Sequence, residues 1–76
     1  MNKTIFEGKW SLIRGQINAR WSLMAESDLM KVDKAEVKFD KLVNLLQVKY
    51  GYIRLKATEE IGKLWAEYEA NHIKKA

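Results

Sequence analysis

Three observations predict an all-α fold of four helices joined by tight turns. Proline is absent, glycine is scarce, and Lys, Glu, Leu and Ala are frequent, a composition that favours helix from end to end. Apolar residues recur at spacings of three and four along the first and last thirds and through the middle, as they do on a helix with one buried face. Tyr50-Gly51-Tyr52 breaks that pattern with a residue suited to ending a helix. The 76 residues amount to one domain, 1–76. A chain this short buries only about 60–65% of the surface its unfolded form exposes. Cysteine is absent, so no disulfide or thiolate site can staple it. Stability must come from packing, with three Trp, three Tyr and two Phe, each able to bury roughly 150–250 Å².

Residues 3–23 read as the first helix, with Phe6, Trp10, Ile13, Ile17 and Trp21 on one face. Ile5 and Leu12 lie off that stripe, which predicts contact from two sides. Gly8 and Gly15 are seven apart and share another side, where a neighbouring backbone could approach closely. Gly15 inside a helix costs about 1 kcal/mol relative to Ala, so it is expected to admit such a neighbour or to bend the helix.

Residues 25–28 end this element. Ser27 and Asp28 are suited to cap a short second helix over 29–32, and Asp33 to cap a third starting at Lys34. The third carries Val37, Phe39, Leu42, Val43, Leu46 and Tyr50 at helical spacing, extended by Leu45 and Val48, while Glu36, Asp40 and Lys41 keep its other side wet. Gly51 should take the left-handed terminating position, with Tyr52 folding back on the last turn. A fourth helix over 55–72 aligns Ala57, Ile61, Leu64, Trp65, Tyr68 and His72. Its start is poorly capped by Ile53 and Arg54, and 73–76 are expected to fray. Trp65 is expected to meet the indole stripe across the core.

The residue types argue against catalysis. His72 is the one histidine, with no cysteine to pair with it, and a nucleophile–base pair or matched carboxylates in a pocket are not evident. Zinc needs several Cys or His ligands, and no Gly-rich phosphate loop follows a strand. No cofactor is expected. Lys3, Glu7 and Lys9 interrupt any leader-like apolar run, and no stretch approaches the roughly 18 apolar residues of a spanning helix. A cytoplasmic protein, monomeric or weakly self-associating, is the expectation.

The formal charge is +4, and residues 1–24 hold Lys3, Lys9, Arg14 and Arg20 against Glu7. Lys9, Arg14 and Arg20 are thus candidate contacts for nucleic acid, though four cations on one helix give only weak, salt-sensitive affinity. A membrane surface is a lesser candidate for the same helix, whose apolar face the core needs. The tryptophan stripe could stack bases, but its helical spacing favours the core.

The ordered set Gly8-x-Trp10, Arg14-Gly15, Trp21, Leu23, Asp28-Leu29, Val32, Leu42-Val43, Leu46-Gln47 and Tyr50-Gly51-Tyr52, continued by Ala57, Glu60 and Ile61, resembles the CsbD-like family of small bacterial general stress proteins. The resemblance covers most of the chain and begins at Asn2. Residues 33–41 carry what reads as a three-residue insertion, Asn44 stands where the family tends to have glycine, and Ile53-Arg54-Leu55 replaces a polar helix start. The resemblance implies two packed helical hairpins in a SAM-domain-like arrangement, synthesis under general stress, and no catalytic residues. The function expected is therefore a non-enzymatic small general stress-response protein of undefined molecular mechanism. Its partner is unknown, with nucleic acid or another protein as candidates, and a weak nucleic-acid-binding module using the basic first helix is the alternative.

Overall fold

The computed structural model describes residues 3–73, which form α1 (Lys3–Arg20), α2 (Glu26–Asp33), α3 (Lys38–Tyr50) and α4 (Arg54–Ile73). Among the described residues there are no strands. The chain is a four-helix all-α structure in which α3 packs against each of the other three helices. The expectations for 74–76 and for the His72 side chain lie outside the described residues.

The α1 stripe is buried as its spacing predicts: Phe6, Trp10, Ile13, Ile17 and Trp21 all enter the core. Phe6 is fully enclosed and touches aromatic rings on three helices. Its ring centroid lies 6.0 Å from Trp10, 5.4 Å from Phe39 on α3 in an edge-on contact, and 6.3 Å from Trp65 on α4. Trp65 therefore meets the α1 stripe through Phe6. On α4, Ala57, Ile61, Leu64, Trp65 and Tyr68 face inward, as the spacing predicts.

Ile5 and Leu12 depart from expectation. Both are exposed, so α1 buries one face only. Nor do Gly8 and Gly15 admit a neighbouring backbone: a Cβ at either position would meet nothing within 4 Å. Both lie on the open side of α1.

The joints also differ from the sequence reading. The helix of α1 stops at Arg20 rather than 23, where Trp21 N–H still reaches Ile17 O at 2.8 Å and Met24 N–H turns back to Trp21 O at 3.0 Å. The Asn18 side chain holds this turn by donating to Met24 O at 2.7 Å. Trp21 and Met24 are both buried as a result.

The second helix starts three residues earlier than predicted, at Glu26 rather than 29, with Ala25 as its N-cap. Asp28 works from inside the first turn, accepting from Ala25 N–H at 2.9 Å. Ser27 stays on the surface. The third helix starts at Lys38 rather than Lys34, because Asp33 is turned toward α1 and caps nothing. Its cap comes from Glu7, 31 residues upstream, which accepts from Lys38 N–H at 2.9 Å and from Phe39 N–H at 3.0 Å. One carboxylate thus satisfies two of the amides that a helix start leaves open. Val37, at the N-cap, and Val48 are exposed and do not extend the apolar face.

Gly51 ends α3 as predicted, with φ at 69° and its N–H donating to Gln47 O. Tyr52 folds back onto Tyr50, their rings stacked with centroids 5.5 Å apart.

Two predictions test this packing. Phe6→Ala and Trp65→Ala should each cost about 3–5 kcal/mol, a large part of the roughly 4–11 kcal/mol expected of a chain this long. Urea unfolding followed by circular dichroism measures both losses. In the same assay Gly15→Ala should stabilise by about 0.5–1 kcal/mol, since the new methyl meets open space. Gly51→Ala should instead destabilise by about 1 kcal/mol or more, because its φ is left-handed.

Candidate functional site

Five steps of about 100° separate Arg14 from Lys9 and six separate it from Arg20, so the three cations cannot share one face. The core stripe runs between the arginines, with Arg14 facing α2 and Arg20 facing α4. Arg14 grips Asp33 with two parallel bonds, Nε to Oδ1 and an Nη to Oδ2, each 3.0 Å, and also donates to Glu26 at 3.0 Å. A fork-to-carboxylate pair is the strong, directional form of an ion pair. Arg20 donates to Glu67 and lies 3.8 Å from Glu60. Lys3 stands 2.9 Å from Asp40. Among the described residues, Lys9 is the cation of α1 with no carboxylate within 4 Å, and it is exposed.

Asp33 also accepts from the indole N–H of Trp10. Trp10 is only 3% exposed, and a buried indole N–H without an acceptor costs free energy. Asp33 is therefore the point at which the α1 core stripe, the α1 cation and the end of α2 meet. Nothing in the spacing names it as that acceptor; the signal is only that a buried tryptophan needs one.

The second polar joint is Asp28. It is 3% exposed, the one buried charged residue among the described residues, and Lys49 of α3 lies 2.8 Å from it. One carboxylate thus caps α2 and pairs it with α3. Nearby, the Tyr50 hydroxyl accepts from Leu23 N–H at 2.9 Å, tying the α1–α2 turn to the end of α3.

These contacts set the acidities. Lys49 holds the Asp28 carboxyl below the usual carboxylate range against the opposing effect of burial, with help from Ala25 N–H. The Trp10 hydrogen bond does the same for Asp33, again against burial, and Arg14 adds to it. Lys63, then Lys56, lower Glu60. Asp33, then Glu26, raise Arg14 further. Carboxylates pushed down in this way are poor proton acceptors at neutral pH. The arrangement is suited to holding helices together and poorly suited to moving protons. Among the described residues, no three His, Cys, Asp or Glu are grouped to hold a metal ion, and no helix is long and apolar enough to cross a membrane.

Comparison with known proteins fixes the kinship. The chain is 32% identical over 72 residues to the UPF0337 protein ECA0631 of Pectobacterium atrosepticum, covering 95% of this chain and 99% of that one. The chain belongs to the UPF0337, or CsbD-like, family. The UPF0337 protein pc0632 of Protochlamydia amoebophila is 28% identical over 72 residues, covering 95% of this chain and 98% of its own. The UPF0337 protein YjbJ of Escherichia coli K12 is 31% identical over 61 residues, covering 80% and 84%. No family model and no solved structure matches the chain. None of these UPF0337 names states an activity.

The lowered carboxylates predict the acid limb of stability. A group whose acidity is depressed in the fold stabilises fully above its unfolded pKa, about 3.9 for Asp, and loses that contribution as pH falls through its folded value. Unfolding free energy should therefore drop below about pH 4. Asp28→Asn should be less stable at neutral pH and show a shallower acid limb. Denaturant titrations across pH measure this; an unchanged limb in the variant removes Asp28 from the account.

Proposed function

We propose that this protein is a non-enzymatic member of the general stress response that acts in the cytoplasm through contact with another macromolecule. The observation that carries the non-enzymatic part is the use of its polar side chains. The groups with shifted acidity, Arg14, Asp28, Asp33 and Glu60, are all held in pairs with opposite charges, and each pair braces a helix or joins two. The stress part rests on the resemblance to CsbD-like proteins.

A weak nucleic-acid contact through Lys9, Arg14 and Arg20 is the second reading. Its support is that the three cations share one helix. Against it, Arg14 and Arg20 are 28% and 24% exposed and already face carboxylates, so phosphate would have to displace those partners.

Tagged full-length protein recovered from stressed and unstressed host cells, with and without nuclease, tests both readings. The first expects higher protein levels under stress and a catch that survives nuclease. Equal levels in both cultures overturn the stress role. A nuclease-sensitive catch that is lost in Lys9→Gln supports the second reading.

A further inference from the structure

Between Asp40 and Glu59 the chain has no acidic residue, and this stretch carries Lys41, Lys49, Arg54 and Lys56. Outside it, the ten remaining basic residues match the ten acidic ones, so the formal +4 of the chain equals the charge of this run. The fold places its middle at the α3–α4 turn, where Gly51 reverses the chain.

That turn is also apolar on the outside. Ile53 is 69% exposed and Leu55 64%, on either side of Arg54. The Tyr50–Tyr52 stack lies behind them, with the Lys56 ammonium 6.0 Å from the Tyr52 ring. Arg54 reaches Asp40 only at 3.7 Å and Lys56 reaches Glu60 at 3.2 Å, with cation side chains 61% and 49% exposed. The Arg54 pair, open on both sides, is weak and exchanges readily, and the Lys56 ammonium, though held to Glu60, is half exposed. Behind them α4 starts without an acid in its first turn. No side chain among the described residues accepts from the backbone N–H groups of Arg54, Leu55 or Lys56, whereas α2 and α3 have Asp28 and Glu7.

Open amides at the positive end of a 20-residue helix attract phosphate, and so do flanking cations. Phosphate alone leaves Ile53 and Leu55 unexplained. Aliphatic side chains interleaved with cations, with tyrosines behind, match the boundary between lipid headgroups and acyl chains. A nucleic-acid backbone would use the charges and leave the aliphatics in water.

We propose that the α3–α4 turn docks this protein on an anionic phospholipid surface. Ile53 and Leu55 enter the acyl boundary, while Arg54, Lys56 and the open N–H groups of α4 receive headgroup phosphates. The contact is peripheral and salt-sensitive, and it uses no residue of the core. It stands independently of the stress reading.

Vesicle co-sedimentation of the full-length protein at low salt tests it. Vesicles of equal parts phosphatidylcholine and phosphatidylglycerol should bind, and pure phosphatidylcholine should not. The double variant Ile53→Ser/Leu55→Ser and the double variant Arg54→Gln/Lys56→Gln should each lower binding on the order of tenfold. Lys9→Gln should leave it unchanged. Because these side chains are exposed, thermal melts should show both doubles folded. Hydrogen exchange of the unaltered protein supplies a measurement free of substitution: vesicles should protect amides of residues 51–58 and not those of α1. No binding to the anionic vesicles overturns the proposal, as does protection confined to α1. Equally fatal is binding that Ile53→Ser/Leu55→Ser leaves intact and a single-stranded oligodeoxynucleotide displaces, the result a nucleic-acid surface would give.

Discussion

One ring holds three helices. Phe6 sits fully enclosed where α1, α3 and α4 converge, in contact with Trp10, Phe39 and Trp65. In a chain whose core is this thin, few side chains are large enough to reach from one helix to two others at once. The direct consequence is that α1 must present its aromatic face in one orientation. Every polar contact on its flanks then follows from that rotation. Glu7 beside Phe6 is aimed at the start of α3, Arg14 at α2 and Arg20 at α4.

The joints between helices show how the fold satisfies backbone groups with little local help. The α2 start has an alanine where an oxygen-bearing cap would stand, and the α3 start has a valine. In both cases a carboxylate from elsewhere fills the need: Asp28 from three residues ahead and Glu7 from another helix. A cap supplied across the tertiary fold exists only once α1 and α3 have docked. Helix formation and packing are therefore coupled here, as expected where helices this short are marginal alone.

The same coupling explains what could be read from the chain and what could not. Burial of Phe6, Trp10, Ile13, Ile17 and Trp21, and of the α4 face, is legible because a 3.6-residue period is a local property. So is the Gly51 stop, which needs only a left-handed residue after an apolar run. The starts of α2 and α3 are illegible for the opposite reason. Ser27, Asp28 and Asp33 all have capping chemistry, and only the fold decides that Asp28 turns to Lys49 and that Asp33 turns to Trp10 and Arg14. Spacing likewise places Lys9, Arg14 and Arg20 on α1 but carries no sign of the carboxylates that α2 and α4 bring to the two arginines. Gly8 and Gly15 mark where the periodic reading of side chains has no grip: a shared side predicts an approach, and the fold leaves that side open.

Bracing also accounts for where charge is left over. Glu7, Asp28 and Asp33 are drawn into joints around α1, α2 and the start of α3, and Glu60 and Glu67 are drawn toward Arg20. Of these acids, Asp28 reaches the last turn of α3 through Lys49, and Glu60 lies further along α4, where Lys56 meets it at 3.2 Å. The reversal at Gly51 itself uses none of them. Left-handed Gly51 and the stacked Tyr50 and Tyr52 reverse the chain by backbone geometry and ring contact alone. A turn that folds without carboxylates is free to carry cations and exposed aliphatics at little cost to stability. The α3–α4 turn is thus a place where the fold makes little demand on residue type, and the exposed Ile53 and Leu55 beside Arg54 and Lys56 lie outside the core that holds the helices.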